Sequence, residues 1–137
     1  MEKNPTLLFV VAAALVNERD EVLVQKRPEG KPMAGLWEFP GGKVEPGERP
    51  EDALVRELLE ELNIKTTPCE FEPITFASEP LGSRSLLLLL YRCRKWSGQL
   101  ESLESAVLQW TSLSGLKSLK MPPADGPLVD KLIEFSL

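Results

Sequence analysis

Apolar and polar positions divide this chain into short runs of two kinds. From Leu7 to Val16 every residue is apolar, LLFVVAAALV. That run is too short to span a bilayer, which takes roughly 20 residues, and reads as a strand buried on both faces. Glu21 to Lys26 reads as a second strand, joined to the first by the polar, hairpin-like Asn17-Glu18-Arg19-Asp20. The stretch Arg27-Pro28-Glu29-Gly30-Lys31-Pro32 is rich in breakers and forms a loop. Trp37-Glu38-Phe39 alternates like a short strand that runs into a glycine turn. From Pro50 to Leu62 the apolar period lengthens to that of a helix. Phe71 to Ser78 and Ser85 to Arg94 return to strand, joined by Glu79-Pro80-Leu81-Gly82-Ser83-Arg84. Within the second of these, Leu86 to Leu90 is again short and wholly apolar. Val107 to Ser112, centred on Trp110, predicts a last strand. Pro122-Pro123 then leads to a helix from Pro127 to Phe135, with Leu128, Leu132 and Ile133 on one side. The expected class is α/β: one mixed sheet that buries its apolar faces against helices on both sides. Residues 1–137 are read as a single domain, without repeat, linker or low-complexity tract.

The central helix carries the candidate chemistry. At 3.6 residues per turn, Glu57, Glu60 and Glu61 fall within an arc of roughly 100°. Leu54, Val55, Leu58, Leu59 and Leu62 take the opposite arc. Three neighbouring carboxylates repel one another, and a hard divalent cation, Mg²⁺ above all, removes that repulsion. A solvated acidic face is the plainer alternative, with Arg56 and Glu60 as an ordinary i,i+4 pair worth a few tenths of a kcal/mol. The lead-in favours the site. Gly41-Gly42 and Pro46-Gly47 build two tight turns around Lys43-Val44-Glu45, an elaborate approach for a plain surface helix. Pro50 suits a first-turn position, and Glu51 and Asp52 favour the helix N-terminus electrostatically.

Composition narrows the function classes. Apolar residues make up 42% and charged residues 27% of the 137, as in a globular chain with one core. The net charge of −5 offers no basic face for a nucleic-acid polymer, although a nucleotide whose phosphates arrive with metal ions remains compatible. The chain has no histidine, which excludes Ser-His-Asp and Cys-His catalysis and His-based zinc sites. Its two cysteines, Cys69 and Cys93, are expected to be buried small hydrophobes in a reducing compartment. The N-terminal apolar run lacks a basic n-region and a cleavage site, so the expectation is a cytoplasmic protein without membrane attachment.

The segment Gly42 to Ile64 resembles the Nudix box. Gly42, Glu48, Arg56-Glu57, Leu58, Glu60-Glu61, Asn63 and Ile64 stand at the box's fixed positions. One departs: Asn63 occupies the place of a glycine, mildly, because Asn tolerates the left-handed conformation of a helix C-terminus. The resemblance implies the α/β/α Nudix sandwich and Mg²⁺-dependent hydrolysis of a phosphoric anhydride, with Mn²⁺ as a substitute. It implies that Glu57, Glu60 and Glu61 ligate metal with the backbone carbonyl of Gly41. Arg56 would orient the carboxylates and pair with Glu48 across the turn, and Gly42 and Glu48 would be structural parts of the box. Glu57 and Glu61 are equal candidates for the general base, followed by Glu104. Glu104 lies six residues before Trp110. MutT-type members have a metal-binding Glu at that spacing, although their Glu-Gly-Gln here reads Glu104-Ser105-Ala106.

Beyond the box, Gln25-Lys26-Arg27-Pro28, Gly35-Leu36-Trp37-Glu38-Phe39-Pro40-Gly41-Gly42-Lys43 and Pro122-Pro123-Ala124-Asp125 are similar to MutT-type nucleoside triphosphate pyrophosphohydrolases. That resemblance implies cleavage between the α and β phosphates, releasing a nucleoside monophosphate and pyrophosphate. It places Arg27, Glu38, Phe39 and Asp125 on the substrate. The expected function is sanitising 8-oxo-dGTP from the nucleotide pool, in the service of DNA replication and repair. Where enzymes specific for 8-oxoguanine have Asn, this chain has Asp125. An ionised Asp only accepts hydrogen bonds, which suits the 8-oxoguanine N7–H or the cytosine amino group. Relatives that act on CTP and modified pyrimidine nucleotides share the Pro-Ala-Asp reading, so a CTP or 5-methyl-dCTP pyrophosphohydrolase is the alternative. Asp125 could also be an N-cap ahead of Pro127. A non-catalytic nucleotide-binding regulatory module is a third reading, and the intact Arg56-Glu57 and Glu60-Glu61 argue against it. Monomer and homodimer are both open.

Overall fold

The computed structural model describes residues 6–104 and 106–136. Its strands are β1 (Leu7–Leu15), β2 (Val22–Lys26), β3 (Trp37–Glu38), β4 (Gly41–Lys43), β5 (Phe71–Leu81), β6 (Arg84–Cys93) and β7 (Val107–Thr111). Its helices are α1 (Pro50–Leu62), α2 (Leu113–Leu116) and α3 (Asp125–Ser136), with a single 3₁₀ turn at Pro68–Glu70.

The expected mixed sheet is present, and a second, smaller sheet stands beside it in the strand order. One has the order β4-β1-β6-β5, with β1 and β6 parallel and the outer pairs antiparallel. The other is antiparallel, β3-β2-β7. Both edges of β1 are taken, by β4 and β6, so the hairpin from β1 to β2 leaves only the bridge Val16↔Val22. The backbone groups of β2 pair instead with β3 and β7.

From Val11 to Leu15 β1 is buried on both faces, as its unbroken apolar run requires. Val11, Ala13 and Leu15 pack with Ala53, Leu54, Leu58 and Leu62 of α1. Ala12, Ala14 and Val16 pack with Leu128, Val129 and Leu132 of α3. Helices therefore cover both sides, and the layered α/β/α arrangement follows. Burying any one of these leucines contributes roughly 2 kcal/mol.

Local expectations differ from the structure at several points. β5 and β6 extend to Leu81 and Arg84 and leave only Gly82 and Ser83 as the turn, with Gly82 at φ 62°. Gly41-Gly42 is not a turn but part of strand β4, paired to β1. α3 begins two residues before Pro127, at Asp125. Leu59 is 44% exposed, so the greasy face of α1 is narrower than its period suggests. Cys93 is buried as expected, whereas Cys69 is exposed.

Candidate active site

Helix α1 runs between a proline start and a left-handed end. Pro50 occupies its first turn beside Glu51 and Asp52. Asn63 closes it at φ 58°, and its N–H donates to the Leu59 carbonyl at 3.1 Å. With Leu54, Leu58 and Leu62 facing β1, the carboxylates project toward β2, β4 and the loop before the helix.

They do not converge on one point. Among the described residues, no three His, Cys, Asp or Glu side chains are gathered closely enough to hold a metal ion. Each carboxylate has its own partners. Arg56 is the hub of the loop side. It donates to Glu48 through Nε at 2.8 Å and Nη2 at 3.0 Å, and to Glu57 through Nη1 at 2.9 Å. It also reaches the Lys43 carbonyl at 3.0 Å and, at 3.5 Å, the exposed Glu60. The expected Arg56–Glu48 pair is thus present. These bonds, with the Glu45 N–H, hold the Glu48 carboxyl down at about 2.

Glu57 lies over Gly42, where an added Cβ would run into the Glu57 carboxyl group. That is the local reason for a glycine at 42. Gly41 has a different reason from the carbonyl ligation expected of it: a Cβ there would collide with the Val11 carbonyl of β1. Its N–H donates to Glu61 Oε2 at 3.0 Å, and Gln25 Nε2 approaches Glu61 Oε1 at 3.4 Å. Burial, then repulsion by Glu57 and Glu104, push the Glu61 carboxyl up to about 8 against these donors. Burial also raises Glu57, with Glu60 and Glu104 adding to the effect and Arg56 opposing it. Glu104 is exposed on the segment before β7, yet near enough for both carboxylates to feel its charge. Its neighbour Ser105 lies outside the described residues.

Glu61, Glu104, Gly41 and Gly42 line one cleft of about 590 Å³, and so do Arg27, Glu38, Phe39 and Asp125. That volume suits a ligand of nucleotide size. Glu48, Arg56, Glu57 and Glu60 are not among the residues that line it.

At the second group, the register pairs β2 with β3 so that Gln25 lies opposite Glu38. Arg27 Nε donates to Glu38 Oε2 at 2.9 Å, and Arg27 Nη1 to the Pro32 carbonyl at 3.2 Å. Phe39 is buried to 5% and packs into the α3-side core while touching the cleft. Asp125 is the first residue of α3 and also 5% exposed. Among the described residues its carboxyl has no hydrogen-bond partner. Burial, and then the charge of Glu38, push it up to about 7, with Arg27 opposing. Burial thus adds a second protonation state to the ionised form expected from the sequence. Near neutral pH it is present both as carboxylate and as carboxylic acid, and the acid donates.

Gln25 was not singled out by the sequence. It is 6% exposed and the innermost polar group beside Glu61. Its signal is a polar residue closing the buried run Val22-Leu23-Val24.

By the chemistry of its donors, though not by a gathered geometry in this structure, the set suits a hard divalent cation. The carboxylates are all-oxygen ligands, and their mutual repulsion is the kind of charge excess such an ion relieves. The box glycines leave the carboxylates room.

The model of the NUDIX domain family matches residues 7–132. A relative from Escherichia coli K12 named 8-oxo-dGTP diphosphatase is 36% identical over 91% of this chain and 95% of its own. Another from the same organism, named CTP pyrophosphohydrolase, is 37% identical over 90% of each chain. Among solved structures, that of the E. coli ORF135 protein superposes with a TM-score of 0.83 at 36% identity, covering 96% of this chain and 91% of that one. A MutT structure from work on Aliivibrio salmonicida and Vibrio cholerae superposes with a TM-score of 0.79 at 33% identity, covering 93% and 98%.

Proposed function

The chain belongs to the NUDIX domain family and is a hydrolase of phosphoric anhydrides, and from that premise we propose that it cleaves a nucleoside triphosphate to the monophosphate and pyrophosphate, with 8-oxo-dGTP as its substrate. The observation that carries this reading is the division of one cleft into two chemistries. Its carboxylate part, with Glu61 and Glu104, suits a triphosphate with its cation, and its apolar part, with Phe39, Ala124 and Asp125, suits a base.

Glu57, Glu60 and Glu61 would hold Mg²⁺, with Glu104 and the Gly41 carbonyl completing the set and Mn²⁺ able to substitute. The bound ion supplies charge neutralisation along the phosphates and a more acidic water. The chain's own residues do the rest. Arg56, clamped by Glu48 and the Lys43 carbonyl, holds Glu57 in one orientation. The Gly41 N–H and Gln25 do the same for Glu61. Both carboxylates take up a proton more readily than an ordinary glutamate, as a general base near neutral pH must. Water adds to the phosphorus, its proton passes to one of these carboxylates, and the α–β anhydride bond breaks. Phe39 lines the base pocket and Arg27, fixed by Glu38, faces the sugar–phosphate region.

A second reading keeps the chemistry and changes the base. Asp125 as carboxylate also accepts from a cytosine amino group, and the relative named CTP pyrophosphohydrolase matches this chain as fully as the one named 8-oxo-dGTP diphosphatase. The deciding experiment measures pyrophosphate release from 8-oxo-dGTP, dGTP, CTP and 5-methyl-dCTP, with Mg²⁺ and with excess EDTA. We expect 8-oxo-dGTP to have the highest kcat/KM and EDTA to abolish turnover. Dominance of CTP or 5-methyl-dCTP would replace the first reading by the second. Equal turnover in EDTA would overturn both.

A further inference from the structure

The segment that carries Glu104 has no sheet partner next to the site, and the Glu104 side chain makes no hydrogen bond among the described residues. Its place is set by anchors on either side of it. Lys65 and Ser97 exchange backbone hydrogen bonds at 2.9 and 3.0 Å, which starts the segment along the end of α1. The Glu101 N–H then donates to the Leu62 carbonyl at 3.1 Å, and the Leu103 N–H to the Glu61 carbonyl at 2.8 Å. These acceptors belong to the last turn of α1, where a helix leaves its carbonyls without partners of its own. Past Glu104, the Ala106 N–H returns to Ser102 Oγ at 2.9 Å and closes a small loop around it.

One side-chain bond reinforces this row. Asn63 Nδ2 donates to Glu101 Oε1 at 2.9 Å, across 38 residues of sequence. The backbone at 63 needs only a residue that accepts φ 58°, for which glycine serves as well as Asn. The amide is therefore additional to the cap, and it ends on the segment that delivers Glu104.

We propose that Asn63 and Glu101 are positioning residues for Glu104, bracing its segment against the end of α1 so that its carboxylate stands beside those of Glu57 and Glu61. The inference rests on the reading of Glu104 as part of the cation site. A carboxylate held only by its backbone loses effective concentration at the site when that backbone loosens. Without the brace, cation affinity falls while the helix and its own carboxylates stay in place.

The test is Mn²⁺ binding to the metal-free full-length protein, followed by electron paramagnetic resonance, together with amide exchange at Leu103. Asn63→Gly should weaken Mn²⁺ binding about three- to tenfold and speed exchange at Leu103. Asn63→Asp should weaken it further, because two carboxylates then face each other. Asn63→Asp with Glu101→Gln should restore it, because amide and carboxylate have exchanged places. Asn63→Gly should add nothing in a Glu104→Gln background. If Glu104→Gln weakens binding and Asn63→Gly does not, the brace is wrong and the cation site stands. Additive losses from Asn63→Gly and Glu104→Gln would also overturn the brace. If Glu104→Gln binds Mn²⁺ like the wild type, the assignment of Glu104 fails and the brace fails with it.

Discussion

Glu61 and Asp125 are two buried carboxyl groups in one cleft, both raised well above the ordinary carboxylate range, and they are raised for different purposes. Glu61 has hydrogen-bond donors, Gly41 and Gln25, and still sits at about 8, because burial, with the negative charge of Glu57 and Glu104 added to it, outweighs them. Asp125 has no donor among the described residues and is pushed up to about 7 by burial and then by the charge of Glu38, with Arg27 opposing. The first group is surrounded by like charge, and the second has little but burial acting on it. Burial alone would not distinguish them. The neighbours do, and on the proposed reading they separate a place for phosphate and metal from a place for a base.

The largest effect that would break this contrast is on turnover. Glu61→Gln and Glu57→Gln should each lower kcat by about 100-fold or more, with the fold retained. Asp125→Asn should leave kcat within about threefold, since by this division it acts in recognition of the base. Glu45→Gln, on the exposed loop before the helix, should do far less than either glutamate of the helix. Steady-state kinetics on the substrate preferred in the nucleotide screen decides it. A kcat loss in Asp125→Asn as large as that in Glu61→Gln would erase the division of the cleft.

A smaller effect sharpens the base end. Above pH 7 Asp125 is mainly ionised and only accepts, which favours the N7–H of 8-oxoguanine over the N7 acceptor of guanine. Below pH 7 the protonated carboxyl donates to guanine N7 and narrows the difference. The ratio of kcat/KM for 8-oxo-dGTP to that for dGTP should rise about three- to tenfold between pH 6 and 8.5. In Asp125→Ala the ratio should be smaller and flat with pH. Taking the ratio removes pH effects on the catalytic carboxylates, which both substrates share. A flat ratio in the wild type would reduce Asp125 to a residue at a helix start.

The smallest effect is on stability, and its sign follows from the direction of the shifts. Both groups are raised in the folded state, so their contribution is fully present below the unfolded pKa and is lost as pH rises through the folded one. For Asp125 that window runs from 3.8 to about 7, and for Glu61 from 4.5 to about 8. In metal-free protein at pH 9, Asp125→Asn and Glu61→Gln should each raise Tm by about 3 °C or more, and at pH 4 by almost nothing. Adding Mg²⁺ at pH 9 should cancel the advantage of Glu61→Gln, because the wild type then gains the ion's binding energy. It should leave the advantage of Asp125→Asn in place. Thermal unfolding with and without Mg²⁺ reads both, and an equal response of the two variants would show that the ion does not distinguish these carboxyls.

What the sequence determined by itself is local. The helix from Pro50 to Leu62 is legible because proline, early acids, a helical apolar period and a left-handed Asn all act within a few residues of one another. The Arg56–Glu48 pair was legible for the same reason, being a contact across one turn. The strands were legible as runs, but not which strand pairs with which. β1 has its edges filled by β4 and β6, which lie on either side of α1 in the sequence, and that competition divides the strands into two sheets. Tertiary structure alone decided that Gly41 is a glycine because β1 passes against it, and that Gln25 reaches Glu61. It also decided that Asp125 is buried and that Asn63 reaches Glu101. Each of these depends on distance, burial and neighbouring charge between distant segments. Residue type and spacing say which groups a chain possesses, and packing sets the environment that turns a carboxyl into a ligand, a base or a sensor of the bound nucleotide.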